Sequence, residues 1–323
     1  MAARSGSGES RHGVDLTNLD DPLFDGADAT KRDLVDYLDA VADRILPELA
    51  GRPLSVIRVH RGQEAFMQKN VPTHAPDFVR TVRFWAETSK RNVDYALCDD
   101  VRTLIWFGNQ RAVEYHPALV LAERPDRATH LVLDLDPPEG TDAFREAARA
   151  ARLVREVLDA AGLPGMVKTS GAKGVHVFVP VDPATSLEDA AAATRAIAER
   201  AAQLDPALAT TAFMKEDREG RVFVDATRVG GATVVAAYSP RIRPGATVSF
   251  PVPWDALEDC APRDFTIRSV LDRLDDAGPW VDWAAGGPAL PDDLLEEGRQ
   301  IAPGRVQAMH EGKRRKRAAR SAD

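Results

Sequence analysis

Cysteine is nearly absent from this 323-residue chain, which has only Cys98 and Cys260. That scarcity excludes a disulfide framework and a Cys-based zinc site. There is no apolar run of about 18 residues and no signal-peptide core near Met1, which argues against a membrane-spanning or secreted reading and makes the cytoplasm the expected compartment. A basic excess is missing too, since the net charge is −8. Composition therefore does not advertise a nucleic-acid binder, although a basic groove can coexist with an acidic remainder. With 44% hydrophobic residues, the chain can bury a large core as one big domain or two ordinary ones.

What is present is an alternation of helical and strand patterns. Residues 1–14 are small, polar and Gly/Ser-rich, and are expected to be disordered. Thr30 is a candidate N-cap for a helix running to about Leu49, with Leu34, Leu38, Val41, Ile45 and Leu49 as its apolar stripe. Strands are predicted at 54–59, 93–97, 131–136, 175–181 and 221–225, with β-rich segments at 233–238 and 247–252. Segments 104–109 and 112–116 read as a short helix and a strand. Helices are predicted at 142–161, 186–204, 264–275 and 293–309. This alternation argues for an α+β or α/β fold on a central mixed or antiparallel sheet. The tail Lys313-Arg314-Arg315-Lys316-Arg317 is either a solvated helix end or an auxiliary contact for phosphates.

Three elements carry chemistry. The first is "LVLDLDP", where Asp134 and Asp136 share one strand face while Leu131, Leu133 and Leu135 take the other. Two acids so close repel by roughly 2–3 kcal/mol. They need either basic partners or a divalent cation, and Mg²⁺ and Mn²⁺ prefer such hard oxygen ligands. A DxD phosphatase is disfavoured by Pro138 and by the lack of companion motifs. The second element is "KTSGAKGVHVFVPV", in which Ser170, Gly171, Lys173, Gly174 and His176 form a tight turn entering a strand. Its amides, hydroxyl and ammonium suit an anion, but the P-loop spacing is absent. The third is Asp225, which closes the apolar strand "VFVD". Together, three carboxylates and a phosphate-suited turn describe a two-metal phosphoryl-transfer site.

The ordered set "LVLDLDP", "KTSGAKGVH", "VFVD" and "AAYSPR" resembles the archaeo-eukaryotic primase superfamily. More narrowly, it resembles the polymerase domain of bacterial ligase D. "TKRDLVDYL", "NVDYALCDD" and "LIWFGNQRAVEYH" extend the likeness over about residues 15–290, leaving 291–323 as a C-terminal helix and basic tail. The resemblance implies a primase-polymerase fold, with an RRM-like catalytic half and an α/β N-terminal half. It implies a template-dependent nucleotidyltransferase that adds NTPs or dNTPs to a primer on primer–template or gapped DNA, using Mn²⁺ or Mg²⁺. Asp134, Asp136 and Asp225 would be the metal-binding catalytic acids. His116, Ser170, Gly171, Lys173, His176, Arg218 and Arg241 would surround the nucleotide. Lys31, Phe66 and Lys69 would meet DNA, with Phe66 stacking on the template. No KxDG sequence occurs, so a stand-alone polymerase working with a separate ligase and a Ku-type end-binding protein is expected.

The chain also departs from the family. Ala65 replaces one of two stacking aromatics, and Asp21 replaces a phosphate-gripping lysine. Ala226-Thr227-Arg228-Val229 stands where "W-x-Q-N" is usual. A fold-retaining, non-catalytic nucleic-acid-binding module is the alternative reading.

Overall fold

The computed structural model describes residues 8–86, 91–140, 142–229, 232–278, 280 and 286–304. They fall into two compact units. The first contains the chain up to Ala118 together with Val235–Phe250 and Pro262–Asp276. The second contains Leu119–Val234, Pro251–Ala261 and the residues from Ala277 onward.

In the first unit, β1 (Ser10–Arg11) and β2 (Val14–Asp15) pair as a small antiparallel hairpin. This corrects the expected disorder for that part of the N-terminus. Burial explains it, since Val14 is in the core and Arg11 pairs with Asp36. Helix α1 (Lys31–Ala40) starts with a full capping box, in which Thr30 accepts from the Asp33 amide and Asp33 bonds back to the Thr30 amide. The predicted single helix breaks at Val41, where α2 (Ala42–Leu49) begins, although the apolar stripe is buried as expected.

Strands β3 (Leu54–Arg58), β4 (Phe66–Gln68), β5 (Thr81–Ala86) and β6 (Arg91–Ala96) form a sheet in the order β4-β3-β6-β5. Helix α3 (Val101–Asn109), capped by Asp100, leads to β7 (Ala112–Pro117), which also pairs with β3. The late β-rich segments supply bridges rather than strands: Pro240 pairs with Val248 and Thr247 with Thr266. Phe250 and Phe265 stack at 4.7 Å beneath them. The helix predicted at 264–275 is a pair of 3₁₀ segments, Pro262–Asp264 and Ser269–Asp276.

The second unit holds the other sheet. Its strands are β8 (His130–Asp136), β9 (Met166–Thr169), β10 (Val175–Pro180), β11 (Ala209–Thr210) and β12 (Val222–Asp225), in the order β11-β12-β8-β10-β9. All pairs are antiparallel except β11 with β12. Two 18-residue helices, α4 (Ala143–Ala160) and α5 (Leu187–Leu204), pack against it through alanines and valines. The fold is thus mixed α/β, with a five-stranded sheet in each unit among the described residues. Among the described residues, no helix is long and apolar enough to cross a membrane.

Helix α6 (Asp292–Gln300) lies on α5 so closely that Gly298 touches the Ala192 backbone, and an added Cβ would run into that carbonyl. Arg200 clamps the same interface through Asp293 and Glu297. Gly298→Ala should therefore destabilise the chain by about 2–3 kcal/mol, read from urea denaturation. The helix predicted over 293–309 ends at Gln300, where Ile301 turns extended, and residues from 305 on, including the basic tail, lie outside the described residues.

Candidate active site

Strand β8 sits in the middle of its sheet, and register decides what Asp134 meets. Across β12 its partner is Asp225; across β10 it is His176, whose own partner on β9 is Lys168. One row across four strands therefore reads Asp225, Asp134, His176, Lys168. Asp136 lies two residues along β8 on the same face. Leu131, Leu133 and Leu135 are fully buried on the other face, as the alternation predicts.

The row is held by hydrogen bonds and ion pairs. Lys168, buried in the second unit, places its ammonium 2.8 Å from His176 Nδ1. An ammonium donates to that nitrogen, so the imidazole proton sits on Nε2, 3.3 Å from Asp134 Oδ1. Arg228 reaches Asp134 Oδ2 at 2.7 Å and, through Nε, Asp225 Oδ2 at 3.1 Å. Burial alone would raise the Asp134 carboxyl. His176, Arg228 and Lys168 outweigh that and hold it well below the usual carboxylate range. Asp225 accepts at Oδ1 from the Thr227 amide and hydroxyl, at 2.8 and 2.6 Å.

Asp136 is met by Arg218 at 3.1 Å and Lys173 at 3.4 Å. Arg218 also lies over the Phe223 ring at 4.0 Å, and Lys173 bonds the Pro137 carbonyl and Glu139. The glycine turn is tied by Ser170, whose Oγ accepts from the Ala172 and Gly174 amides at 3.2 and 3.1 Å. Gly171 takes a left-handed φ of 68°.

The second unit thus gathers Asp134, Asp136, Asp225, Ser170, Gly171, Lys173, His176 and Arg218. Each acid faces basic or hydrogen-bond-donating groups. Among the described residues, no three His, Cys, Asp or Glu side chains converge as a ready metal cage. The donor chemistry still fits a hard divalent cation. Three carboxylates share one sheet face across β8 and β12, and a guanidinium already spans two of them.

The remaining candidates lie in the first unit. His116 Nε2 is 2.9 Å from Glu114 Oε2, which Arg241 also meets at 3.1 Å. Burial would raise the Glu114 carboxyl, but His116, Arg241 and the Ile242 amide bring it down from 4.5 to about 2. Glu114 itself was not foreseen; no feature of "EYH" separates it from a solvated acid. Its folded value lies below its unfolded one, so its stabilisation is complete above pH 4.5 and drains away as pH falls toward 2. Replacing Glu114 by Gln should shrink the stability gap to wild type by about 2 kcal/mol between about pH 6 and about pH 3, measured from urea midpoints.

Phe66 and Met67 stand exposed on β4, with Lys69 exposed just beyond. His60 stacks on the Phe66 ring at 5.3 Å with an interplanar angle of 23°, and Arg58 lies 5.8 Å from the same ring. A second flat ring therefore stands beside Phe66 despite Ala65, and sequence spacing gave no sign of it. Lys31 has its side chain buried, where it bonds the Thr17 carbonyl and is brought down to about 8, chiefly by burial and then by Arg111. It ties α1 to the N-terminal segment.

Comparison with known proteins identifies the family. Residues 30–280 match the family model for the LigD primase-polymerase domain. The "Bifunctional non-homologous end joining protein LigD" of Bacillus subtilis is 34% identical over 277 residues, covering 84% of this chain and 44% of that protein. The "Multifunctional non-homologous end joining protein LigD" of Mycobacterium bovis is 36% identical, over 82% of this chain and 36% of its own length. This chain thus spans less than half of either relative. A solved structure, "Polymerase Domain from Mycobacterium tuberculosis Ligase D in complex with DNA", superposes with a TM-score of 0.77 at 33% identity. It covers 84% of this chain and 99% of that one. With matches of this extent, the chain belongs to the LigD primase-polymerase domain family.

Proposed function

We propose that this chain is a template-dependent nucleotidyltransferase that extends a DNA primer, incorporating ribonucleotides as well as deoxyribonucleotides, in gap filling or end joining. The observation that carries this reading is the cross-strand row of Asp225, Asp134 and His176 with Asp136 on the same face. A pure binding module gains nothing from clustering acids where phosphates must lie. Asp134, Asp136 and Asp225 would hold divalent cations, Mn²⁺ or Mg²⁺, which supply a lowered pKa for an attacking hydroxyl and charge neutralisation for a triphosphate.

The chain's own residues do the rest. Lys168 fixes the His176 tautomer, and His176 in turn aims Asp134 and keeps it ionised. Lys173 and Arg218, beside Asp136, are the cations suited to triphosphate oxygens. The Ser170 turn holds the backbone close to them. DNA is the partner implied by the solved relative, and a separate ligase and a Ku-type end-binding protein would complete end joining.

The test is extension of a labelled primer on gapped DNA with Mn²⁺, set against the same reaction in EDTA. Metal-dependent extension supports the proposal, and none under any metal or nucleotide contradicts it. For the template, Phe66 and His60 form the stacking platform. Phe66→Ala should weaken binding of a single-stranded overhang by about tenfold or more, measured by fluorescence anisotropy. His60→Phe should keep wild-type affinity, because a flat ring is what the position supplies.

A further inference from the structure

Between Asp134 and Asp225 the chain already keeps a cation of its own. Arg228 lies three residues beyond Asp225, in the segment leaving β12. Its one planar guanidinium touches Asp134 Oδ2 at 2.7 Å and Asp225 Oδ2 at 3.1 Å. The other oxygen of each acid is taken, by His176 on Asp134 and by Thr227 on Asp225. The two oxygens a metal would need are therefore the two that Arg228 covers. The Arg228 side chain is 38% exposed while Asp225 is 8% exposed, so the arginine can leave toward solvent and the acid cannot.

We propose that Arg228 is a displaceable counter-cation: it holds the Asp134–Asp225 pair together without metal, and a divalent cation binds by taking those two oxygens from it. This rests on reading the aspartates as metal ligands. Left alone, the paired acids repel, and a guanidinium between them offsets that cost. A guanidinium and a dication cannot share the same oxygens, so each weakens the other. Once displaced, the fork of Arg228 matches phosphate geometry, and the triphosphate of an incoming nucleotide is the anion it would find. Metal and nucleotide then bind cooperatively, because each rewards the same movement of one side chain.

The experiment is Mn²⁺ titration by calorimetry on folded wild type, Arg228→Gln, Arg228→Lys and Asp134→Ala, with and without a non-hydrolysable nucleoside triphosphate analogue. Arg228→Gln should bind Mn²⁺ alone about tenfold or more tighter than wild type. It should gain little further affinity from the nucleotide, whereas wild type gains strongly. In EDTA it should melt at a lower temperature than wild type and recover when Mn²⁺ is added. Arg228→Lys keeps the charge but has no planar fork to span both acids, so it should fall between the two and serves if the Gln variant does not fold. Mn²⁺ affinity in either variant equal to or weaker than wild type overturns the role of Arg228 while leaving the metal reading intact. No Mn²⁺ binding by wild type with nucleotide, or binding unchanged in Asp134→Ala, overturns both.

Discussion

Asp134→Ala should lower primer extension at least about a thousandfold while the far-UV spectrum stays that of a folded chain. The size follows from position. Asp134 is the one acid that has a neighbour on each side of its row, Asp225 on β12 and His176 on β10. Removing its carboxylate deletes a metal ligand, takes the His176 Nε2–H partner away and leaves Arg228 with Asp225 alone. The same deletion removes a negative charge that offsets the nearby buried cations, so the melting temperature should fall as well. Asp134→Asn keeps the volume and a hydrogen-bonding oxygen, and should recover much of the melting temperature but little activity. That split separates the chemical role of the carboxylate from its structural one. Glu139, an exposed partner of Lys173, offers the contrast: Glu139→Gln should leave extension within about twofold of wild type.

Gly174→Ala should be the most damaging single methyl in the site. A Cβ there would lie 2.5 Å from the Leu135 carbonyl, between Asp134 and Asp136 on the facing strand. The backbone cannot yield without pushing β10 away from β8 at the point where both acids are held. The Gly174 amide also donates to Ser170 Oγ, and its carbonyl accepts from the Ser170 amide at 3.0 Å, so the turn would loosen with the strand pair. A loss of about 2–3 kcal/mol in urea denaturation is expected, together with weakened nucleotide binding. At Gly171 the left-handed φ sets a smaller penalty, about 1 kcal/mol for Ala.

What the sequence disclosed follows from what is local. Alternation placed Leu131, Leu133 and Leu135 inward and both aspartates outward, and β8 keeps that arrangement. Thr30 marked a helix start, because a cap is written within a few residues. The site was legible as residue types in order, but its geometry was not. Register between β8, β10 and β12 puts Asp225 and His176 on either side of Asp134, and register belongs to pairs of distant strands. Lys168 gave no signal, since one lysine beside a Thr-Ser-Gly turn looks like any surface residue until β9 buries it. The break at Val41 and the bridges at 233–250 failed for the opposite reason. Local propensity there was strong, and packing in the first unit overrode it. The contacts of Lys31 with Thr17 and of His60 with Phe66 likewise depend on how neighbouring segments fold together.

The central claim is that the row on β8, β10 and β12 works on nucleotides chosen by a template. The most direct measurement supplies one nucleotide at a time, with Mn²⁺, to a gapped DNA whose single templating base is varied through all four identities. Incorporation of the complementary nucleotide opposite each base, absent in Asp134→Ala, is the result this account expects. Incorporation indifferent to the templating base, or equal in Asp134→Ala, would contradict it.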